Sequence, residues 1–253
     1  MGTRPDRPLA LVTGASRGFG LAIARRIASD HRLVLLGRSE SSLRRVADEI
    51  GGEVIAVDLA DDAALLRVAD QLAARDEPVQ VLVNNAGVAP SAPLRNTDDA
   101  MWSRTIAINL RAPFVLARAL GPRMAQAGWG RIVNIASTAG LKGYAYTSAY
   151  CASKGGLVSL TRALAVELGR KGVTVNAVCP GFTETAIADE AIANITAKTG
   201  RSEAEARASL ESFSPLQRLV RPDEIAEMVA WLVGDLAAAV NGSALPIDGG
   251  ESA

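Results

Sequence analysis

Short apolar runs alternate with helical patterns along the chain of 253 residues, and this alternation constrains the fold more than any other feature. The apolar runs have the length of buried strands, whereas the segments between them carry apolar residues at helical spacing. The predicted strands span residues 9–12, 33–36, 54–57, 79–83, 132–136, 173–178 and 240–247, and the predicted helices 21–28, 40–50, 61–75, 98–127 and 149–170. Strands separated by helices form right-handed βαβ units. The sequence therefore predicts an α/β fold in a single domain over residues 1–253, with a doubly wound parallel sheet and helices on both faces.

The composition agrees with a parallel sheet that is buried on both faces. Hydrophobic residues make up 49% of the chain but aromatic residues only 4%, so the core must be mainly aliphatic. Basic and acidic residues number 27 each, which gives a formal net charge of +0. Since nucleic-acid-binding and membrane-surface proteins usually carry a basic excess, we expect neither kind of partner.

The sequence carries no recognisable signal for export or membrane attachment. No uncharged apolar stretch reaches the roughly 18–20 residues that span a bilayer, and residues 1–8 lack the apolar core of a signal peptide. Asp6 departs from the myristoylation pattern, which needs Ser or Thr at that position. Cys151 and Cys179 are predicted to be free thiols, and the single histidine, His31, argues against a Ser-His-Asp triad and against a His-based metal site. We therefore predict a cytoplasmic protein without a metal ion.

The segment from residue 182 to residue 215 interrupts the alternation, because it is helical in composition but carries no predicted strand. Ser202 and Glu205 have the spacing of a capping box, so a helix is predicted to begin at Ser202. An insertion at this point lies near the carboxyl ends of the strands, where α/β sheets bind ligands. We interpret the segment as a substrate lid, with a plain surface excursion as the alternative, since long loops in compact domains are usually functional or disordered.

A glycine-rich turn lies between the first predicted strand and the first helix, with the sequence Thr13-Gly14-Ala15-Ser16-Arg17-Gly18-Phe19-Gly20. Glycines at this junction let the backbone approach a pyrophosphate, to which the helix N-terminus presents its positive end. This context predicts a Rossmann-type dinucleotide-binding domain, which the glycines alone would not. The predicted cofactor contacts in the turn are Gly14, Ser16, Arg17, Gly18, Phe19 and Gly20.

The end of the second predicted strand bears on the choice between NADP(H) and NAD(H). An acidic residue there would accept hydrogen bonds from the 2′-hydroxyl of NAD(H), but this sequence has Gly37-Arg38-Ser39 instead. Arg38 and Arg17 favour the 2′-phosphate of NADP(H), because guanidiniums form charge-assisted hydrogen bonds with phosphates. We therefore favour NADP(H) over NAD(H), although Arg38 is also consistent with a solvated residue at a helix entrance. Asp58, followed by Leu59, is predicted to contact the adenine or else to begin the next helix.

Further motifs occur in order along the rest of the chain. They are Asn84-Asn85-Ala86-Gly87 after the fourth strand, Asn109, Ser137 after the fifth strand, Tyr150-x-x-x-Lys154 on a helix, and Pro180-Gly181 after the sixth strand. Together with the glycine-rich turn, they resemble the motifs of the short-chain dehydrogenase/reductase family over nearly the whole chain. Any one motif alone is weak evidence, but their order and their places at strand ends and on helices make coincidence a poor explanation.

Tyr150 and Lys154 are four residues apart, so on a helix their side chains share one face and can enter the same cleft. A phenol with its ordinary pKa near 10 is a poor base at neutral pH. A cation about 4 Å away would stabilise the phenolate by up to roughly 4 kcal/mol, or about three pKa units, before desolvation of both groups is counted. We therefore expect Lys154 to lower the pKa of Tyr150.

The resemblance implies a role for each of these residues. Tyr150 would donate a proton to a ketone oxygen during reduction and remove it during oxidation, while Ser137 hydrogen-bonds the same oxygen. Lys154 would also hold the nicotinamide ribose, and Asn109 would anchor a water that relays protons to solvent. The implied cofactor contacts further along the chain are Asn85, Ala86, Gly87, Tyr150, Lys154, Pro180, Gly181 and either Thr183 or Thr185.

The implied activity is hydride transfer between NAD(P)(H) and a carbonyl carbon, which interconverts a ketone and a secondary alcohol. Segments 180–185 and 247–250 are most similar to those of 3-oxoacyl thioester reductases and 3-hydroxyacyl-CoA dehydrogenases. Lys198 and Arg201 would then meet the phosphates of a CoA or acyl-carrier arm, or else be solvated. The alternatives are a dehydrogenase of small alcohols, polyols or cyclic ketones, and a non-catalytic nucleotide-sensing protein. The resemblance also implies a homotetramer, with the helices near 98–127 and 149–170 between subunits.

Overall fold

The computed structural model describes residue 3 and residues 5–253, apart from the side chains of residues 186, 187 and 190. Residues 1, 2 and 4 lie outside this part, and with them some of the segment 1–8 in which no signal peptide is predicted. Within the described residues, no helix is both long enough and apolar enough to pass through a lipid bilayer.

In the described part of the chain, seven strands form one parallel sheet. They are β1 (Leu9–Thr13), β2 (Arg32–Gly37), β3 (Glu53–Ala56), β4 (Val81–Asn84), β5 (Gly130–Ile135), β6 (Val173–Pro180) and β7 (Ala244–Ile247). Their order across the sheet is β3-β2-β1-β4-β5-β6-β7, and every neighbouring pair is parallel. The predicted doubly wound parallel sheet is therefore confirmed. Because the strand order reverses between β1 and β4, a crevice opens at the carboxyl ends of these two strands.

Helices cover both faces of this sheet. They are α1 (Gly18–Ile27), α2 (Glu40–Ile50), α3 (Asp62–Ala73), α4 (Asp99–Ile106), α5 (Ala112–Ala127), α6 (Ser148–Gly169), α7 (Ala186–Thr199), α8 (Glu203–Glu211) and α9 (Pro222–Val233). The predicted helix 98–127 is thus interrupted, because a π-helical turn, Ala107–Arg111, joins α4 to α5. Ser202 caps α8 and forms the predicted capping box with Glu205.

The central strand β1 shows how the sequence buries both faces of the sheet. Ala10 and Val12 belong to the apolar cluster that includes residues of α1 and α9. Leu9 and Leu11, which point to the other face, belong to the cluster that includes residues of α3 and α5. Each buried leucine contributes about 1.5–3 kcal/mol relative to an exposed one. The aliphatic core that the composition predicts is therefore divided into two layers by the sheet.

The last strand is shorter than the predicted range 240–247, because β7 begins only at Ala244. Just before β7, the side chain of Asn241 forms hydrogen bonds with backbone groups that a longer strand would pair through its own backbone. Its Oδ1 accepts a hydrogen bond from the N–H of Val175 (2.8 Å), and its Nδ2 donates to the carbonyl oxygen of Ala165 (2.9 Å). Gly242 then adopts a φ of +76°, which an extended strand does not allow.

The segment 182–215 contains α7 and α8 and adds no regular strand among its described residues. Thr183 makes a single isolated bridge with Val220. The two helices share an apolar cluster of their own, which includes Ile192 and Leu210. The predicted helical character of the segment is confirmed, and its function as a substrate lid stays a prediction.

Candidate active site

A cleft of about 600 Å³ opens at the carboxyl edge of the sheet. The predicted site residues that line it are Gly14, Ser16, Arg17, Gly18, Phe19, Arg38, Asp58, Leu59, Asn85, Ala86, Gly87, Tyr150, Lys154 and Thr185. The predicted residues outside this lining are Gly20, Asn109, Ser137, Pro180, Gly181 and Thr183. Sequence reasoning missed Gly37, Ser39, Ser42, Val57, Val88, Ile108, Ile135 and Ala136, which also line the cleft. Their only signal in the sequence is that most of them lie at or just beyond the ends of predicted strands.

The glycine-rich turn forms one wall of the cleft, and its glycines serve different purposes. Gly14 has a φ of +66°, and a Cβ atom on it would lie 2.9 Å from Nδ2 of Asn85. A Cβ atom on Gly20 would lie 2.1 Å from the carbonyl oxygen of Gly14, so only glycine lets α1 pack this closely. Gly18 has a φ of +55°, and the nearest atom to its Cβ position, in Thr185, is 3.8 Å away. The turn therefore leaves an open cradle at the N-terminus of α1, which fits the pyrophosphate of a dinucleotide.

Thr13 ties the glycine-rich turn to the end of β4, a role that sequence reasoning missed. Its Oγ1 accepts hydrogen bonds from the backbone N–H groups of Asn85 (2.9 Å) and Ala86 (3.0 Å). In return, Nδ2 of Asn85 donates to the carbonyl oxygens of Thr13 (2.8 Å) and Gly14 (3.3 Å). These four hydrogen bonds hold the two sides of the crevice at a set separation. A polar residue at the end of an otherwise apolar strand was the available signal.

The end of the cleft beside α2 is positively charged. Arg17 and Arg38 line it with exposed side chains, and among the described residues neither guanidinium is hydrogen-bonded. Ser39 and Ser42 add hydroxyl groups at the start of α2, where Oγ of Ser39 caps the helix by accepting from the N–H of Ser42 (3.3 Å). Cations, hydroxyl groups and a helix N-terminus together make a site for an anionic group.

Asp58 and Leu59 also line this end of the cleft. One carboxylate oxygen of Asp58 accepts a hydrogen bond from the N–H of Ala60 (3.0 Å), and the other lies 3.4 Å from Nη2 of Arg104. The N–H of Ala60 holds the pKa of Asp58 below its usual value, and the charges of Arg104 and Arg38 lower this pKa further. Asp58 is therefore an ionised acceptor at neutral pH.

Tyr150 and Lys154 lie one turn apart on α6, and both face the cleft. Nζ of Lys154 is 5.8 Å from the centroid of the Tyr150 ring and donates to the carbonyl oxygen of Ile135 at 2.7 Å. Ser137, which follows β5, lies close enough to the Tyr150 hydroxyl to lower the pKa of this phenol. Its Oγ also accepts from the N–H of Ala139 (3.1 Å), which caps the short turn after it. The structure thus brings together three side chains that the sequence places on two different elements.

The pKa values of this group differ from the expectation drawn from the sequence. Burial raises the pKa of Tyr150, and the neighbouring Ser137 lowers it only in part. Burial also lowers the pKa of Lys154 to about 8. The expectation of a lowered pKa for Tyr150 is therefore wrong for this structure, because burial of the phenol outweighs the neighbouring group that lowers its pKa. Tyr150 is a phenol with its proton in place at neutral pH.

Asn109 is fully buried in the π-helical turn between α4 and α5. Its Oδ1 accepts from the N–H of Val88 (2.9 Å), while Nδ2 donates to the carbonyl oxygen of Val88 (2.8 Å) and to Oγ of Ser153 (3.0 Å). Because both amide protons are used within the protein, a water can bind this side chain only through its oxygen. Asn109 therefore supports the loop after β4, and its role as a water anchor stays a prediction.

The structure separates Thr183 from Thr185, which the sequence left as alternatives. Thr185 lies at the N-terminus of α7 and lines the cleft. Thr183 is buried, and its Oγ1 donates to the carbonyl oxygen of Gly181 (2.9 Å). Gly181 in turn packs on the C-terminal residues, since a Cβ atom on it would lie 2.9 Å from Cβ of Asp248. Of the two threonines, Thr185 is the one placed to contact a ligand in the cleft.

The other residues that the sequence singled out lie away from the cleft lining. Lys198 and Arg201 are exposed, which favours the solvated alternative for both. Cys151 and Cys179 are free thiols, as predicted. Burial raises the pKa of Cys179 to about 11, so this thiol is unreactive at neutral pH.

Known proteins similar to this chain match it along nearly its whole length. A family model described as enoyl-(acyl carrier protein) reductase matches residues 14–252. A relative named as a ketoacyl reductase of the granaticin polyketide synthase, from Streptomyces violaceoruber, is 41% identical over 96% of this chain and 93% of its own. The cis-4-hydroxycyclohexanecarboxylate dehydrogenase of Sinomonas cyclohexanicum is 36% identical over 100% of both chains.

The fold is also similar to that of a solved ketoreductase. The crystal structure of a phenylalanine-to-tryptophan variant of the actinorhodin polyketide ketoreductase with NADPH superposes with a TM-score of 0.91. The two sequences are 38% identical, and the match covers 100% of this chain and 99% of that chain. Both the sequence and the fold are therefore similar to those of reductases and dehydrogenases.

Proposed function

This chain belongs to the short-chain dehydrogenase/reductase family, and on that premise we propose that it reduces a 3-oxoacyl thioester to the 3-hydroxyacyl form with NADP(H). The thioester is one of CoA or of an acyl carrier. The observation that carries the proposal is that Tyr150 and Lys154 line a cleft whose other wall is the glycine-rich turn, with Ser137 next to Tyr150. In this proposal, the side chains around Tyr150 act on a carbonyl oxygen, and the glycine-rich turn binds a dinucleotide.

In the proposed mechanism each side chain acts on the carbonyl oxygen or supports a group that does. The hydroxyl of Ser137 donates a hydrogen bond to this oxygen and stabilises the charge that develops there. Tyr150 donates its proton to the oxygen, and its raised pKa means that the phenol holds this proton at neutral pH. Lys154 holds a ribose hydroxyl and faces the same cleft. The nicotinamide, when bound, supplies the hydride that reaches the carbonyl carbon.

The preference for NADP(H) is supported by the charged end of the cleft. Arg17 and Arg38 carry guanidiniums that no neighbouring side chain hydrogen-bonds in the described part of the chain, and Ser39 and Ser42 add hydroxyl groups. A 2′-phosphate would bind these groups with charge-assisted hydrogen bonds. The positive charge of Arg38 also interacts with the carboxylate of Asp58. This interaction weakens the attraction of Arg38 for an anion. NAD(H) therefore stays the alternative that the assay below must test.

The thioester substrate is supported by the ketoacyl reductase relative. A second candidate function is supported by the dehydrogenase relative, whose name gives a hydroxycyclohexanecarboxylate as its substrate. This candidate is oxidation of small secondary alcohols, polyols or the alcohols of cyclic ketones. A nucleotide-sensing protein without catalysis is the candidate of another class.

One screen distinguishes these candidates. Purified protein is mixed with NADPH or NADH and with acetoacetyl-CoA, a simple ketone or a cyclic ketone, and oxidation of the reduced nicotinamide is followed by its absorbance. We expect the highest kcat/KM with NADPH and acetoacetyl-CoA. Faster turnover of a cyclic ketone supports the second candidate. Cofactor binding without turnover of any substrate supports the sensing protein.

A tyrosine variant tests the catalytic assignment. Tyr150→Phe should lower kcat by about 10²–10⁴-fold, because the proton donor is lost. It should leave the Kd for NADPH within about two-fold of wild type, since the ring and its packing are kept. The matched control is Tyr146→Phe in the preceding loop, where the side chain is 65% exposed. Full activity of Tyr150→Phe would show that the assigned mechanism is wrong.

We also infer that residues 1–253 form one dinucleotide-binding and catalytic domain that assembles as a homotetramer. One sheet from β3 to β7 supports the single domain. Trp102, Phe114 and Val166, on α4, α5 and α6, support the assembly, because they are 44%, 41% and 83% exposed in the single chain. Light scattering after size-exclusion chromatography would test it, and a monomer at micromolar concentration would contradict it. The cytoplasmic location stays a prediction.

A further inference from the structure

The residues after β7 fold into a tight turn around Asp248, to which the proposed function gives no role. Asp248 is buried, and its carboxylate accepts hydrogen bonds from the N–H groups of Gly250 (3.0 Å) and Ser252 (2.9 Å). Gly249 and Gly250 have φ angles of +65° and +90°, which glycine adopts without strain. The turn places the side chain of Glu251 inside the protein, where it is only 1% exposed.

Glu251 holds a buried carboxylate among contacts from separate parts of the chain. Its Oε1 accepts a hydrogen bond from the hydroxyl of Tyr144 and lies 3.3 Å from Nζ of Lys142. Lys142 also donates to the backbone oxygen of Glu251 at 2.8 Å. Oε2 lies beside Gly181, where a Cβ atom would come within 2.8 Å of it. Because a buried carboxylate is costly unless it is paired, these contacts explain why it stays in place.

Tyr144 links this carboxylate to the turn beside Ser137. Its hydroxyl is also 2.7 Å from Oγ1 of Thr138, a buried residue that directly follows Ser137. The single phenol proton goes to the stronger acceptor, the carboxylate, so Thr138 donates its own proton to the phenol oxygen. Burial and the Glu251 carboxylate raise the pKa of Tyr144, so the phenol keeps its proton. A directed series of hydrogen bonds therefore runs from Thr138 through Tyr144 to Glu251.

The same tyrosine is packed against the predicted lid. The centroid of its ring lies 6.0 Å from that of Phe182 and 6.3 Å from that of Phe213. The end of the lid is tied to the C-terminal turn, because Oγ of Ser214 donates to the carbonyl oxygen of Gly249 (3.2 Å). A substitution that removes only the hydroxyl of Tyr144 would leave this aromatic packing in place.

We propose that Glu251 is a positioning residue that, through Tyr144 and Thr138, holds Ser137 where it can hydrogen-bond the reacting oxygen. The proposal rests on the proposed function, in which Ser137 stabilises the charge on that oxygen. A donor with this task must be held to within about 0.5 Å of its productive position. The turn that carries Ser137 is held through Thr138 and Tyr144 by the side-chain carboxylate of Glu251.

Three variants test the proposal kinetically. Tyr144→Phe should lower kcat about ten-fold, because Ser137 is no longer held and transition-state stabilisation is lost. The KM for NADPH should stay within about two-fold of wild type. Glu251→Gln, which keeps an acceptor for Tyr144 but not its charge, should lower kcat by a smaller factor of about three. The control Tyr146→Phe should keep wild-type kcat, since this exposed tyrosine is in the same loop but outside the hydrogen-bonded series.

A double-mutant cycle separates positioning of Ser137 from a general structural effect. In a Ser137→Ala background there is no hydroxyl left to position, so Tyr144→Phe should change kcat by less than about two-fold. If Tyr144→Phe instead lowers kcat about ten-fold in both backgrounds, Tyr144 does not act through Ser137 and the proposal is overturned.

A structural measurement keeps the proposal testable even if the proposed function fails. If no ketone in the panel is turned over by the wild type, the proposed function is refuted. Crystal structures of the wild type and Tyr144→Phe, both with NADPH, then decide the positioning. We expect Ser137 and the turn after it to shift by about 0.5 Å or more and the distance between Ser137 and the Tyr150 hydroxyl to increase. An unchanged Ser137 would overturn the proposal.

Discussion

Replacing Lys154 by methionine tests whether burial governs the ionisation of this lysine. Lys154 is 4% exposed, and burial lowers its pKa from 10.5 to about 8. Between these two values the unfolded chain binds more protons than the folded protein, so stability rises with pH across this window. Below about pH 8 the lysine is charged in both states, and its contribution is constant. Methionine does not titrate, so the variant should lose this dependence on pH.

The magnitude follows from the difference between the two pKa values. At 1.36 kcal/mol per unit, the buried charge costs about 3 kcal/mol of stability at neutral pH. Roughly 2.5 kcal/mol of this should be recovered between about pH 7 and pH 10. The variant also leaves the carbonyl oxygen of Ile135 without its hydrogen bond from Nζ. That loss of about 1–3 kcal/mol is the same at every pH, because neither the methionine side chain nor the carbonyl group of Ile135 titrates.

Urea denaturation of wild type and Lys154→Met over this pH range measures the effect. The quantity to compare is the difference in the free energy of unfolding between the two proteins, because groups common to both cancel. We expect the wild type to gain about 2.5 kcal/mol relative to the variant. Lys171→Met, at an exposed lysine, is the matched control and should show no such trend. A difference between wild type and Lys154→Met that stays flat with pH would refute the reasoning.

Further predictions concern the glycine-rich turn, the cofactor preference and acid stability. Gly14→Ala should lower the free energy of unfolding by about 1–3 kcal/mol in urea denaturation, because φ is +66° and the new methyl group would lie 2.9 Å from Nδ2 of Asn85. Arg38→Ala should weaken NADPH binding about ten-fold in a fluorescence titration and leave NADH binding unchanged. Equal losses for both cofactors would contradict the assigned phosphate site. The Arg218 guanidinium lowers the pKa of Glu224 to about 2, so this pair stabilises the fold above about pH 4.5 and is lost as pH falls toward 2. On acidification, Glu224→Gln should therefore lose about 1 kcal/mol less stability than wild type, a figure reduced for solvent screening of the partly exposed pair. An identical loss in the two proteins would contradict a stabilising role of the pair.

The fold was predictable from the sequence because its signals are local. The apolar run at residues 9–12 is too short for a helix and ends at the glycine-rich turn, so its identity as a strand needs no tertiary information. The last strand was predicted too long because its first residue is decided by a tertiary contact and not by a local signal. Whether residues 240–243 continue the ladder depends on Val175, which hydrogen-bonds the side chain of Asn241.

Part of the candidate site was predictable in the same way. The four-residue spacing of Tyr150 and Lys154 places both on one helix face, and the glycines of the turn follow a strand directly. The contact of Tyr150 with Ser137 was not predictable from spacing alone, because it joins β5 to α6. Glu251 gave no signal at all, since it lies 107 residues from Tyr144 along the chain.

By itself, the sequence determined the order of the strands along the chain, the place of the glycine-rich turn and the helix face that carries Tyr150 and Lys154. Each of these depends on residues close together in the chain, where periodicity and backbone preference act. Only the tertiary structure decided that burial raises the pKa of Tyr150 and that Thr185, unlike Thr183, lines the cleft. It also decided that Asn109 donates both amide protons to groups of the protein. Burial and hydrogen-bond partners are supplied by distant segments of the chain, and no local pattern encodes which segments these are.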